Sequence, residues 1–159
     1  MDDTRETYKE FRNREEQEVA TFMNEHGFAA FSGHQLSEGM AKLGITDGSE
    51  LVGLCGGIYI RRSDKPALDS LCERLDAERN ERMQEPSFAY DAFLYQMWNH
   101  EYPINWTGDW DVCSEFGHVE YAPEKTGVEY LQELGFGIEI LKAYVAALDT
   151  IQHEFYAVN

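Results

Sequence analysis

Apolar residues in this chain recur at helical spacing over most of its length, with one stretch of strand-like runs between them. Tyr8, Phe11, Val19, Phe22 and Met23 fall on one stripe with charged residues between, which predicts an amphipathic first helix. Asp3 with Glu6 three residues on matches a capping box, and Gly27 is placed as the C-cap. Residues 28–31, Phe-Ala-Ala-Phe, predict a short strand. Ser32, with Gln35 three later, can cap a second helix running through Leu43, with Gly44 ending it. Past the turn at Asp47-Gly48, residues 51–54 and 58–60 are β-type runs, and Cys55-Gly56-Gly57 between them predicts a hairpin.

A third helix begins at Ser63 or Asp64, tolerates Pro66 in its first turn, and buries Leu68, Leu71, Cys72 and Leu75. Pro86-Ser87 opens a helix of another kind. Phe88, Tyr90, Phe93, Leu94, Tyr95, Met97 and Trp98 leave it little polar face, so it is predicted to be central, with Pro103 as its end. Residues 104–117 read as irregular, with a short helix over 109–116. Beyond Pro123 a helix carries Val128, Leu131 and Leu134, and Gly135 and Gly137 interrupt it. The last helix repeats Ile138, Leu141, Val145, Leu148 and Phe155. The sum predicts an α+β fold: a mostly helical single domain, residues 1–159, with a small three-stranded antiparallel sheet.

Composition sharpens this picture. Thirty Asp and Glu face thirteen Lys and Arg, a formal net charge of −17, yet apolar residues make up 43% and aromatics 13%. A disordered acidic tail lacks the apolar material to offset its ordering entropy, so this chain is expected to fold and wear its charge outside. The excess is uneven. Residues 1–85 hold 18 acids against 11 bases, whereas residues 86–159 hold 12 acids against only Lys125 and Lys142. Direct nucleic-acid binding is disfavoured, because no cationic field is present to release counterions. The acidic start has no apolar run behind it, and no stretch approaches the roughly 20 apolar residues a membrane helix needs. Cys55, Cys72 and Cys113 form neither a CxxC pair nor an even set, so free thiols in a reducing cytoplasm are expected.

The candidate chemistry gathers after the central helix. His100 and Glu101, with Asp109, Asp111, Glu115 and His118, could bind a divalent metal or supply acid and base. Adjacent residues on a helix point about 100° apart, no HExxH is present, and Asp109-x-Asp111 lacks the rest of a calcium loop. The plainer reading is that His100 and Glu101 cap and brace a helix end. Cys113 five residues before His118 suggests a thiol–imidazole pair, but no third, orienting group is identifiable, and a buried apolar thiol is the simpler expectation. Gly56-Gly57 fits hairpin geometry and no phosphate loop. Arg61, Arg62 and Lys65 could grip a phosphate, or form a solvated face with Arg74, Arg79 and Arg82 paired to nearby carboxylates. The aromatics between Tyr90 and Trp110 could stack bases, but core packing explains them more simply.

Three runs carry a family resemblance: Phe31-Ser32-x-x-Gln35 leading to Glu38-Gly39; Gly56-Gly57-x-x-Ile60-Arg61-Arg62; and Phe93-x-Tyr95-x-Met97-x-Asn99-His100-Glu101-Tyr102. Together they resemble a group of small uncharacterised proteins of phages and other mobile elements of bacteria, over residues 28–117. The resemblance implies a mobile-element setting and no assigned reaction, so it transfers no catalytic residue. By analogy, small acidic proteins from such elements include inhibitors of host defence, among them anti-CRISPR and anti-restriction proteins that imitate the charge of DNA.

The expectation is therefore a non-enzymatic acidic binding protein without a cofactor. Its partner would be a cationic host protein, such as a nucleic-acid-binding effector, met through charge complementarity. Asp109, Asp111, Glu115, Glu120, Glu124, Glu129 and Glu133 are the expected face, because the C-terminal half has almost no compensating bases. The alternative is a small metal-dependent or acid–base enzyme centred on His100, Glu101, Asp109, Asp111 and His118. A homodimer through the last helix stays open.

Overall fold

The computed structural model describes residues 5–158. Its seven α-helices and one sheet, among the described residues, make a mostly helical α+β fold with a small three-stranded antiparallel sheet. The chain divides into two compact units, one comprising residues 13–77 and the other residues 1–12 with 78–159.

In the unit of residues 13–77, most of helix α1 (Tyr8–His26) is followed by β1 (Gly27–Ala29), α2 (Gly33–Lys42), β2 (Leu51–Gly53), β3 (Ile58–Arg61) and most of α3 (Lys65–Arg82). Strand β3 is central and pairs antiparallel with both others, Phe28 opposite Tyr59 and Val52 opposite Ile60. The hairpin turn works because Gly56 and Gly57 both take positive φ, 74° and 76°, which L side chains resist. Fully buried Ile60 anchors the sheet, and Leu43, Ile45 and Leu51 form a small core with Phe28 stacked on Tyr59. Ser32 caps α2 by accepting from the Gln35 N–H at 3.2 Å.

Several expectations shift here. The helix-starting box belongs to Thr7 and Glu10, which exchange side-chain and backbone bonds at 3.2 and 2.7 Å, while Asp3 lies outside the described residues. Helix α1 ends at His26, directly before Gly27, which takes no positive φ and opens β1 opposite Ile60. Phe31 lies beyond the strand and is 77% exposed. Cys72 is exposed, whereas Leu68 and Leu75 are buried. The arginines serve the chain itself. Arg62 donates to the carbonyls of Ser49 and Leu51 at 3.1 and 3.0 Å, Arg61 donates to that of Leu43, and Arg74 pairs with Glu18. Arg82 pairs with Glu6 and Glu85 in the other unit's own residues.

The second unit is built on α4 (Pro86–Asn99) and α7 (Ile138–Val158), with α5 (Gly108–Ser114) and α6 (Gly127–Glu133) beside them. Buried alanines on both long helices, Ala89 and Ala92 on α4 and Ala143 and Ala147 on α7, permit close approach. Phe93 then meets Tyr144 edge-on at 5.2 Å. The buried stripe of α7 runs through Ile140, Tyr144, Ala147 and Ile151, so Val145 and Ile138 face out at 52% and 63% exposure. Of the expected stripe, Leu141 is buried and Leu148 packs against the core, whereas Ile138 and Val145 face out. Helix α4 ends at Asn99, four residues before Pro103, with Glu101 in the left-handed region at φ 52°. The buried amide of Gln96 donates to the Tyr8 hydroxyl at 2.8 Å and accepts from Asn99, so it is fully partnered.

This stripe gives a direct test. Ile151→Ala should cost about 2–5 kcal/mol in urea unfolding, and Val145→Ala about 0.5 kcal/mol or less. Equal losses would mean that α7 presents a different face.

Candidate functional site

The segment after α4 is ordered by polar bonds, not by regular structure. Asn105 is its hub. Its Nδ2 donates to the His100 carbonyl at 3.0 Å and to Asp111 Oδ2 at 2.7 Å, and its Oδ1 accepts from the Thr107 N–H at 3.0 Å. The Thr107 hydroxyl also donates to Asp111 Oδ2 at 2.7 Å. Asp111 is therefore a brace of the loop.

Asp109 opens α5 and turns toward the helical core. Its Oδ1 accepts from the Tyr102 hydroxyl at 3.1 Å and from the Tyr144 hydroxyl of α7. Burial, and next the Asp109 charge, push the Tyr102 phenol well above its usual pKa; burial is also the main cause for Tyr144, with Cys113 and Asp109 behind it. Both phenols thus stay protonated and remain donors. The Tyr102 ring lies so close over Gly108 that a Cβ there would come within 2.7 Å of it, so only glycine fits beneath.

These groups floor a cavity of about 270 Å³, whose wall includes Tyr102, Trp106, Asp109, Trp110, Tyr121 and Lys125. The walls are fixed from behind. Trp110 donates its indole N–H to the Val119 carbonyl at 2.9 Å and meets Tyr121 edge-on at 5.7 Å. Tyr130, also in the wall, donates to the Ala122 carbonyl at 2.7 Å and accepts from the same residue's N–H at 3.0 Å. Lys125 is paired with Glu133. Trp106 is fully exposed, at 100%. Core packing was the expectation for the aromatics between Tyr90 and Trp110; it holds for Phe93 and fails for Trp98 and Trp106.

The seven carboxylates of the expected face have different tasks. Asp109 and Asp111 are turned to local partners, Glu115 accepts from His100 Nε2 at 2.8 Å, and Glu129 completes a capping box with Thr126. Glu133 holds Lys125. Glu120 and Glu124 are exposed, with no ion pair among the described residues. The residues of the acid–base alternative are likewise separated in role. His100 caps α4, Glu101 and His118 are exposed, and among the described residues no three His, Cys, Asp or Glu side chains converge as a metal site.

Cys113 is fully buried, with its Sγ 3.5 Å from the Gly127 carbonyl, and burial pushes its thiol up to about 12. That is the reverse of an activated nucleophile. Among the described residues, no helix is long and apolar enough to cross a membrane.

Tyr102, Trp106, Asp109 and Trp110 lie in one short stretch of sequence, but nothing in the sequence shows that Tyr121 and Lys125 meet them. The signal was present in the spacing of Tyr102, Trp106 and Trp110, four apart, which a loop rather than a helix brings together.

Residues 7–116 match the sequence model of a family described as a family of unknown function, DUF7659. No curated protein and no solved structure matches the chain.

Two outcomes check this geometry. Tyr144→Phe keeps the ring but removes a bond to a charged acceptor, and should cost about 1.5–3 kcal/mol in urea unfolding. For Cys113, the raised folded pKa favours the neutral thiol, so its contribution is fully present below the ordinary value of 9.0 and is lost as pH climbs toward about 12. Accordingly, iodoacetamide at pH 8 should label Cys55 and Cys72 but spare Cys113 by mass spectrometry, and rapid labelling of Cys113 would refute its burial.

Proposed function

The chain belongs to DUF7659, a family of unknown function, and we propose that it is a non-enzymatic binding protein that docks on a cationic partner. The observation that carries the reading is Trp106, which is wholly exposed on a loop immobilised by Asn105, Thr107 and Asp111. A solvent-facing indole gains nothing for folding, and Trp is among the residue types most enriched at binding hot spots. Glu120 and Glu124 stay exposed and supply negative charge. The net charge of −17 would speed encounter with a basic surface and make the complex salt-sensitive.

In this reading the partner is a cytoplasmic host protein with a basic nucleic-acid channel, and the chain is a mobile-element inhibitor of that host's defence. The charge excess of residues 86–159 and the resemblance of the NHEY-containing runs support that setting. The acidic face is narrower than charge counting implied, since Asp109, Asp111 and Glu115 are turned to local partners.

Tagged wild type and the Glu120→Lys/Glu124→Lys variant should be compared in pull-downs from host lysate, washed at rising salt. A basic protein that the wild type retains at low salt and releases at high salt, and that the variant holds about tenfold less well, is the expected result. Circular dichroism should show both forms equally folded. Retention unaffected by charge reversal, or no salt-sensitive partner, would overturn the reading.

A further inference from the structure

We infer that the cavity beside Trp106 is a receptor for a guanidinium group, so that the partner is anchored by one arginine side chain; this rests on the binding reading above. At about 270 Å³ the cavity lies below the size of most small-molecule sites and suits the head of a single side chain. Its wall includes the exposed rings of Trp106 and Tyr121, with Tyr102 and Trp110 half-buried beside them, and an exposed indole face attracts cations. Asp109 adds the countercharge. Both phenol hydroxyls bond to its Oδ1, leaving Oδ2 without a hydrogen-bond partner among the described residues. The one cationic group in the wall, Lys125, is neutralised by Glu133.

Three cations could answer that description, and the chemistry separates them. A quaternary ammonium has no N–H for the open carboxylate oxygen. A lysine ammonium can donate, but it is compact and strongly hydrated, and stacks poorly on rings. A guanidinium is flat, weakly hydrated and rich in donors, so it can lie against Trp106 and donate to Asp109 together. Preorganisation favours it further. Trp110, Tyr130 and Tyr102 are each fixed by a hydrogen bond before any ligand arrives, so the wall beside Trp106 needs little ordering on binding.

The test uses the full chain and two probes, the acetylated and amidated tripeptides Gly-Arg-Gly and Gly-Lys-Gly. Each is titrated at fixed ionic strength while the indole N–H resonances of Trp98, Trp106 and Trp110 are followed by NMR. The arginine peptide should shift Trp106 and Trp110 saturably, with Trp98 unmoved, and bind about tenfold more tightly than the lysine peptide. Trp106→Ala, at a fully exposed position and so without cost to folding, should weaken the arginine peptide about tenfold. Glu120→Lys/Glu124→Lys should weaken both peptides alike and leave their ratio unchanged. Equal affinity for the two peptides, or an arginine affinity untouched by Trp106→Ala, would overturn the inference. The two proposals fail separately: a salt-sensitive partner without arginine preference removes the pocket alone, and arginine preference without such a partner removes the binding reading alone.

Discussion

The carboxylate of Asp109 is the point on which the rest of this region depends. One of its oxygens holds Tyr102 from the loop and Tyr144 from the middle of α7, so a single acceptor joins an irregular segment to the packed α4–α7 pair. A charge in such a place is costly unless it is well bonded, and the two phenols, kept protonated by their burial, supply the donors. With that tie made, Tyr102 can close over Gly108, and the loop between them has little freedom left. Asn105 and Asp111 complete the order from the other side. The cavity follows from these constraints, because Tyr102, Trp110 and Tyr130 in its wall are each held by a hydrogen bond.

The charge of the chain reads differently once its carboxylates have addresses. Glu10 and Glu129 satisfy helix N-termini in capping boxes, and Glu18 binds both Arg14 and Arg74. The Thr7 backbone N–H holds Glu10 below the usual carboxylate range, and the Arg74 guanidinium does so for Glu18. Such residues count toward the total of −17 while serving the fold. A formal charge is thus an upper bound on the field available to a partner. The surplus that is left lies where bases are scarce, in residues 86–159, and there Glu120 and Glu124 stand exposed beside the wall of the cavity.

Much of the fold was legible because it obeys local rules. The α2 cap at Ser32, the Gly56-Gly57 hairpin and the apolar run from Phe88 to Met97 each specify their conformation within a few residues. The α7 face was not legible in the same way. Its buried stripe includes Ala143 and Ala147 beside Ile140, Tyr144 and Ile151, and alanine carries little weight in a hydrophobic pattern. The site was half visible. Clustering of His100, Glu101, Asp109 and Asp111 in sequence suggested shared chemistry, yet a helix end and a turn separate neighbours as effectively as they unite distant residues. Tyr144, 35 residues from Asp109, could be found only through the packing of α7.

The exposure of Trp106 carries more weight than any total. Burying a large apolar side chain is worth roughly 1.5–3 kcal/mol or more, and this chain buries Phe11, Phe88 and Phe93 fully or nearly so while leaving Trp106 in water. An unrestrained loop could leave an indole outside by default, because it has no structure to bury it in. Here the flanking residues are held at Asn105, Thr107 and Asp111, so the ring is presented by the same bonds that build the cavity next to it. A solubility role for the acidic surface would place no demand on that ring. A docking role uses an exposed apolar group of this kind, and Trp106 is therefore the residue by which the two explanations of this acidic protein are told apart.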